Sequence, residues 1–76
     1  MSTFLERLKL EARELEDKIF ALTAFLETST FENLSLSNKI LLKKQLKAME
    51  DYFSILVIRL EILSKLNPKG LAPRTA

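Results

Sequence analysis

Between Leu36 and Leu66 the chain runs for about thirty residues without a Gly or a Pro. Within that stretch Leu42, Leu46, Met49, Phe53, Leu56, Leu60 and Leu63 recur alternately four and three residues apart. Both spacings are close to one helical turn, so all of these positions fall on one seam of an α-helix. The pattern predicts one long helix over about 36–66 that needs a partner. Leu5, Leu8, Ala12, Leu15, Ile19, Leu22 and Leu26 repeat the same spacing upstream and predict that partner over about 3–27. Thr3, with Glu6 three residues on, fits a capping box in which each side chain satisfies the other residue's backbone N–H. From Tyr52 onward the second helix is apolar well beyond its seam, since Ile55, Ile58 and Ile62 point to other sides of the cylinder. One partner helix cannot cover them, which predicts several.

The pattern breaks near Glu27 into ETSTFENLSLSN, whose Thr, Ser and Asn side chains compete for backbone hydrogen bonds and favour turns and caps. Residues 28–35 therefore read as a short connection, with either Ser35 or Ser37 capping the second helix. Phe31 and Leu34 are too apolar for a free loop and are expected to fold over the open end of the helix pair. A short connection joins antiparallel neighbours. The fold class is all-α: an antiparallel helical hairpin with a long second helix, assembling into a compact homo-oligomer. At 1.5 Å per residue, helices of about 24 and 30 residues would measure roughly 36 and 45 Å, so the second should overhang. Asn67-Pro68 ends it, because Pro disfavours helical geometry in the residue before it and donates no backbone bond. Residues 1–67 form the hairpin domain, and 68–76 read as a mobile tail.

Size sharpens the need for an assembly. A domain of 76 residues lies near the lower limit at which one core offsets chain entropy. With no Cys and no His, disulfides and the usual zinc ligand sets are both missing. No apolar run is long enough to suggest a membrane span, and MSTFLERLKLE is charged too early for a secretion signal. The expectation is a cytoplasmic protein with no membrane partner. A net charge of +2 is too small to draw in DNA or RNA polymers. Residues 1–27 hold six acids and four bases, and residues 36–66 hold six bases and three acids. The two halves therefore attract weakly.

Candidate chemistry is sparse. Catalysis needs a nucleophile beside a base, carboxylates with separated pKa values, or a metal. The commonest members of those sets are absent. Glu11, Glu14, Glu16 and Asp17 read as a solvated face that suits the first half of a helix. Gly70 is the only glycine, which excludes a phosphate-cradling glycine loop. Nothing points to a cofactor, and the chain does not read as an enzyme. Binding is better supported. Arg59 sits between Ile58 and Leu60 on a helix that other subunits must cover, where its guanidinium needs a partner. That partner is either an acid across an interface or a phosphate or stacked base, which the planar five-donor head also suits. Tyr52 could supply a ring and a hydroxyl, or simply cap a core edge. Lys18 pairs with Glu14 in the ordinary reading. Lys39, Lys43 and Lys47, with Lys44 beside them, read as a solvated stripe because no aromatics are interleaved on their helix.

The run from Leu10 to Leu60 resembles the helical hairpin shared by phage anti-CBASS proteins of the second type and anti-Thoeris proteins of the first type. The matching features are Glu14-Leu15 followed by Lys18, Phe25-Leu26 before a small polar turn, Phe31 and Leu34 in the turn, and Leu41-Leu42, Gln45, Met49, Tyr52 and Arg59 in the long helix. The resemblance implies a phage-encoded sponge in the host bacterial cytoplasm that sequesters cyclic nucleotide signals of bacterial immunity without cleaving them. It implies a homohexamer holding cyclic dinucleotides of the cyclic GMP-AMP type between protomers and, as in several members of the family, cyclic trinucleotides in a separate pocket. Carried over by motif, Lys18 would bind dinucleotide phosphates and Arg59 would line the trinucleotide pocket; Tyr52 is a candidate ligand contact through its ring and hydroxyl. Phe4 is the candidate for stacking on a base, and Arg7 is a further candidate contact. The anti-Thoeris branch adds a β-rich segment after the hairpin, so the anti-CBASS branch fits better. The competing reading is a structural helical-hairpin adaptor or scaffold with no small-molecule ligand.

Overall fold

In the computed structural model, which describes residues 3–66, the chain forms three helices: α1 (Phe4–Phe25), α2 (Ser29–Glu32) and α3 (Leu36–Leu66). The start of α1 is the capping box that Thr3 and Glu6 predict. The Thr3 hydroxyl accepts from the Glu6 N–H at 3.0 Å, and the Glu6 carboxylate accepts from the Thr3 N–H at 3.1 Å. The helix ends at Phe25, two residues before the expected limit, because Thr28 takes an extended backbone and closes it. The Thr28 hydroxyl donates to the Phe25 carbonyl at 2.7 Å and accepts from the Phe31 N–H at 3.2 Å, so one side chain ends α1 and caps α2. The connection thus contains a turn of helix that periodicity does not reveal. Of the two serines that could start α3, Ser35 does so: its hydroxyl accepts from the Asn38 N–H.

The long helices pack antiparallel. Phe4 lies beside Arg59 and Glu11 beside Tyr52, so seven residues forward along α1 correspond to seven back along α3. Every residue of the two seams is buried or half-buried. Within α1, and within α3 as far as Lys65, the only other positions so covered are Phe25 and Lys39. The hairpin is therefore closed by a single line of contact. Leu8, Ala12 and Leu56 form the core, with Leu15, Phe53, Leu60 and Leu63 packed against them. Leu56 is completely buried. At the closed end Phe31 is only 4% exposed and meets Phe25 edge to face, with ring centroids 6.2 Å apart. Leu34 is half-buried beside it in sequence, so the two apolar residues of the connection do cover the end of the helix pair.

The result is a rod of 55 × 21 × 16 Å, with a radius of gyration of 17.1 Å. A compact chain of this size would have a radius of about 11 Å. Outside the seams, large apolar side chains stay in water: Ile55, Ile58 and Ile62 are each more than half exposed, and Phe20 is 68% exposed. Among the described residues no helix is long and apolar enough to cross a membrane. The Asn67-Pro68 stop and the tail over 68–76 lie outside the described residues.

Truncating the centre of the seam should be far more costly than truncating its back. Leu56→Ala should cost about 2–5 kcal/mol, by lost transfer energy and a residual cavity. Ser54→Ala, on the exposed surface, should stay within about 0.5 kcal/mol. Denaturant unfolding at one fixed protein concentration measures both, since association contributes to apparent stability.

Candidate functional site

Stepping back one residue from each member of a seam gives a second line on the same helix, rotated by about 100°. On α1 that line begins Phe4, Arg7, Glu11, Glu14 and Lys18, and on α3 it includes Gln45, Tyr52 and Arg59. Two contacts join the lines along one flank of the hairpin. The Arg59 guanidinium carbon lies 5.9 Å from the centre of the Phe4 ring, and the Tyr52 hydroxyl donates a hydrogen bond to the Glu11 carboxylate. All five candidate residues (Phe4, Arg7, Lys18, Tyr52 and Arg59) therefore belong to one flank, although they do not form one pocket.

Phe4, Arg59, Tyr52 and Glu11 make up one cluster, at the open end of the hairpin. Arg59 is exposed, and among the described residues it makes no ion pair. Its cation faces the Phe4 ring, an arrangement worth about 0.5–1 kcal/mol at an exposed site. Phe4 is half exposed and leaves a ring available beside that cation. The Tyr52 phenol is held above its ordinary value of 10.0, first by its hydrogen bond to Glu11, then by desolvation and the Glu11 charge, while the Arg59 charge opposes the rise. Arg7 shares the α1 line between Phe4 and Glu11.

Lys18 occupies a separate station. It follows Phe4 by fourteen residues on α1, about 21 Å along the axis. The antiparallel register brings it to the level of Gln45 on α3. The expected pairing with Glu14 does not form: among the described residues the ion pairs are Lys39–Glu32 at 3.7 Å and Lys47–Asp51 at 2.9 Å. An exposed i,i+4 pair is worth only a few tenths of a kcal/mol, so water competes readily with it. Among the described residues Lys18 makes no ion pair, and its ammonium lies on the same flank as the cluster.

Glu11 and Phe31 are the residues whose part the sequence does not announce. Glu11 reads as one of several solvated acids, yet it is the acceptor that orients Tyr52. The available signal was its place seven residues after Phe4, as Arg59 stands seven after Tyr52. Phe31 supplies the aromatic that the lysine stripe lacks on its own helix, because the amines of Lys39 and Lys43 each lie 5.9 Å from its ring centre. Both ammonium groups face the buried ring, and that of Lys39 also pairs with Glu32 at 3.7 Å.

A rigid hairpin with aromatic, hydroxyl and cationic groups on one flank suits the holding of an anion. A model of the family described as Sequestin matches residues 2–62 of this chain. The chain belongs to the Sequestin family. No curated protein and no solved structure matches it. Membership implies a protein that acts by sequestering, in the manner of a sponge, and a Sequestin hairpin with unpaired cations beside apolar surface has the parts for that task.

The chain contains a single tyrosine, so phenolate absorbance reports Tyr52 without interference. Its titration should be centred above 10.0, and Glu11→Gln should move the midpoint back toward that value. Because the folded-state pKa is raised, the phenol's contribution to stability should be fully present below about pH 10 and lost as pH rises through the elevated value. A midpoint unaffected by Glu11→Gln would remove Glu11 as the orienting acceptor.

Proposed function

We propose that this Sequestin protein is a phage immune-evasion sponge that binds cyclic oligonucleotide second messengers and so blocks bacterial CBASS signalling in the host cytoplasm, without cleaving them. The observation that carries the reading is the unpaired Lys18 about 21 Å along the same flank from the Phe4–Arg59 pair, in a chain of a sequestering family. Two separated cationic stations suit two ligand classes. Lys18 takes the phosphates of a cyclic dinucleotide of the cyclic GMP-AMP type. Arg59, with Tyr52 beside it, lines the pocket for a cyclic trinucleotide, where a guanidinium can engage phosphate through several donors. Phe4 stacks on a base, and Arg7 adds a cation next to it.

A single hairpin presents these groups on an open surface. Enclosing a ligand requires walls from neighbouring copies, and a homohexamer with sites between protomers provides them. Preformed pockets between rigid helices add little ordering cost on binding, which favours tight capture without turnover.

The decisive test is capture. The protein is incubated with cyclic GMP-AMP and removed by filtration, after which free ligand is assayed; heating the retained fraction should release the ligand chemically intact. Free ligand left undiminished would favour the adaptor reading, to which the exposed α3 face is equally suited, and chemically altered ligand would make the protein an enzyme. Lys18→Ala should weaken dinucleotide capture by about tenfold or more, the loss expected of one charge-assisted contact, while the assembly persists. Arg59→Ala should weaken trinucleotide capture more than dinucleotide capture. Equal losses for both ligands would contradict two separate pockets.

A further inference from the structure

On α3 the line one residue behind the seam has a second property, independent of any ligand. Its apolar members Leu41, Ala48, Ile55 and Ile62 stand seven residues apart and are all exposed. Residues seven apart stay on one stripe of a helix, so these four form an apolar strip along α3, interleaved with Gln45, Tyr52 and Arg59. This line flanks the one that α1 covers: Tyr52 and Arg59 on it reach Glu11 and Phe4 of α1, while its apolar members are left open to a further partner.

The open line is close to symmetric about Ala48. Leu41 lies seven residues before it and Ile55 seven after, with the smallest side chain in the middle. Charges flank it on one side in the same symmetric manner, Lys44 before Ala48 and Asp51 after it. Both are exposed. In an antiparallel pair related by a two-fold axis, each flank meets the same flank of the other copy. We infer that a second copy of this chain docks along this line, α3 against α3 and antiparallel, with Ala48 on the two-fold axis, Leu41 of each copy against Ile55 of the other, and Lys44 of each paired with Asp51 of the other.

Charge selects this register over its neighbours. Sliding the second copy until Leu41 meets Ile62 sets Asp51 opposite its own counterpart, and sliding further until Ile55 meets itself sets Lys44 near Lys65. Like charges held face to face disfavour both arrangements. With Ala48 at the crossing point, the backbones can approach closely where the helices meet, and Ile62 extends toward the connection around Leu34 of the other copy. The Lys47–Asp51 pair within each chain leaves the carboxylate able to accept a second cation, since its side chain is 63% exposed.

This pairing needs no ligand, although it runs along the line that also carries Tyr52 and Arg59, and its test uses ligand-free protein. The chain has no cysteine, so Ala48→Cys places one thiol at the axis and Glu50→Cys, two residues on and exposed, places one on the opposite face of α3. Under mild oxidation Ala48→Cys should form a disulfide-linked dimer at least about tenfold faster than Glu50→Cys, because only thiols facing across the axis come within disulfide reach. In parallel, Lys44→Glu and Asp51→Lys should each weaken self-association by about tenfold in sedimentation, with helix content preserved, and the double reversal should restore it. Equal cross-linking rates, or a double reversal as weak as the singles, would overturn the register. Normal cross-linking with no nucleotide capture would instead count against the sponge reading alone.

Discussion

Everything in this molecule follows from how little of its apolar surface two helices can hide from water when they touch along a single line. A seam with alternating spacings of three and four covers one stripe on each cylinder and no more. The described residues include only four that are buried and apolar: Leu8, Ala12, Phe31 and Leu56. With no disulfide and no metal ligand set to supplement that core, the remaining large source of stabilisation is further burial of the apolar residues left outside it. Ile55, Ile58 and Ile62 of α3 are a concentration of such residues, each more than half exposed, and they are where the proposed assembly would gain most by burial.

The same geometry distributes the polar chemistry. Residues one position behind each seam sit at the margin of the contact, exposed yet within reach of the facing helix. Phe4, Glu11, Lys18, Gln45, Tyr52 and Arg59 all occupy that margin. Some find partners across the hairpin, as Tyr52 does with Glu11 and Arg59 with Phe4. Others, such as Lys18, do not. Cations held on stiff helices at such a margin need no rearrangement to meet an anion, which is the property a sequestering protein exploits.

The fold was legible wherever its cause was local. Seam periodicity marks both long helices, and every seam residue is covered in the folded chain. The Thr3–Glu6 capping box is a matter of residue type and spacing, and it forms as read. What escaped the sequence depends on the register between helices or on competition between near-equal partners. Thr28 turns part of the connection helical by serving two backbone groups at once, and the choice of Ser35 over Ser37 rests on which lies just ahead of the first helical residue. Glu11 is one acid among several until the antiparallel register sets it opposite Tyr52. The Glu14–Lys18 pair was reasonable by spacing and is absent because an exposed pair gains too little to hold two long side chains in place. For the candidate site, the residue types that could bind an anion were visible in advance. Their arrangement as two stations on one flank became apparent only with the fold.

The central claim is that a hairpin with this much uncovered apolar surface folds stably only in company. Sedimentation across a wide range of protein concentrations, paired with thermal melts of the same samples, tests it most directly. A folded oligomer whose melting temperature falls as the sample is diluted is the result that exposed α3 requires. A well-folded monomer in dilute solution, melting at the same temperature at every concentration, would contradict it.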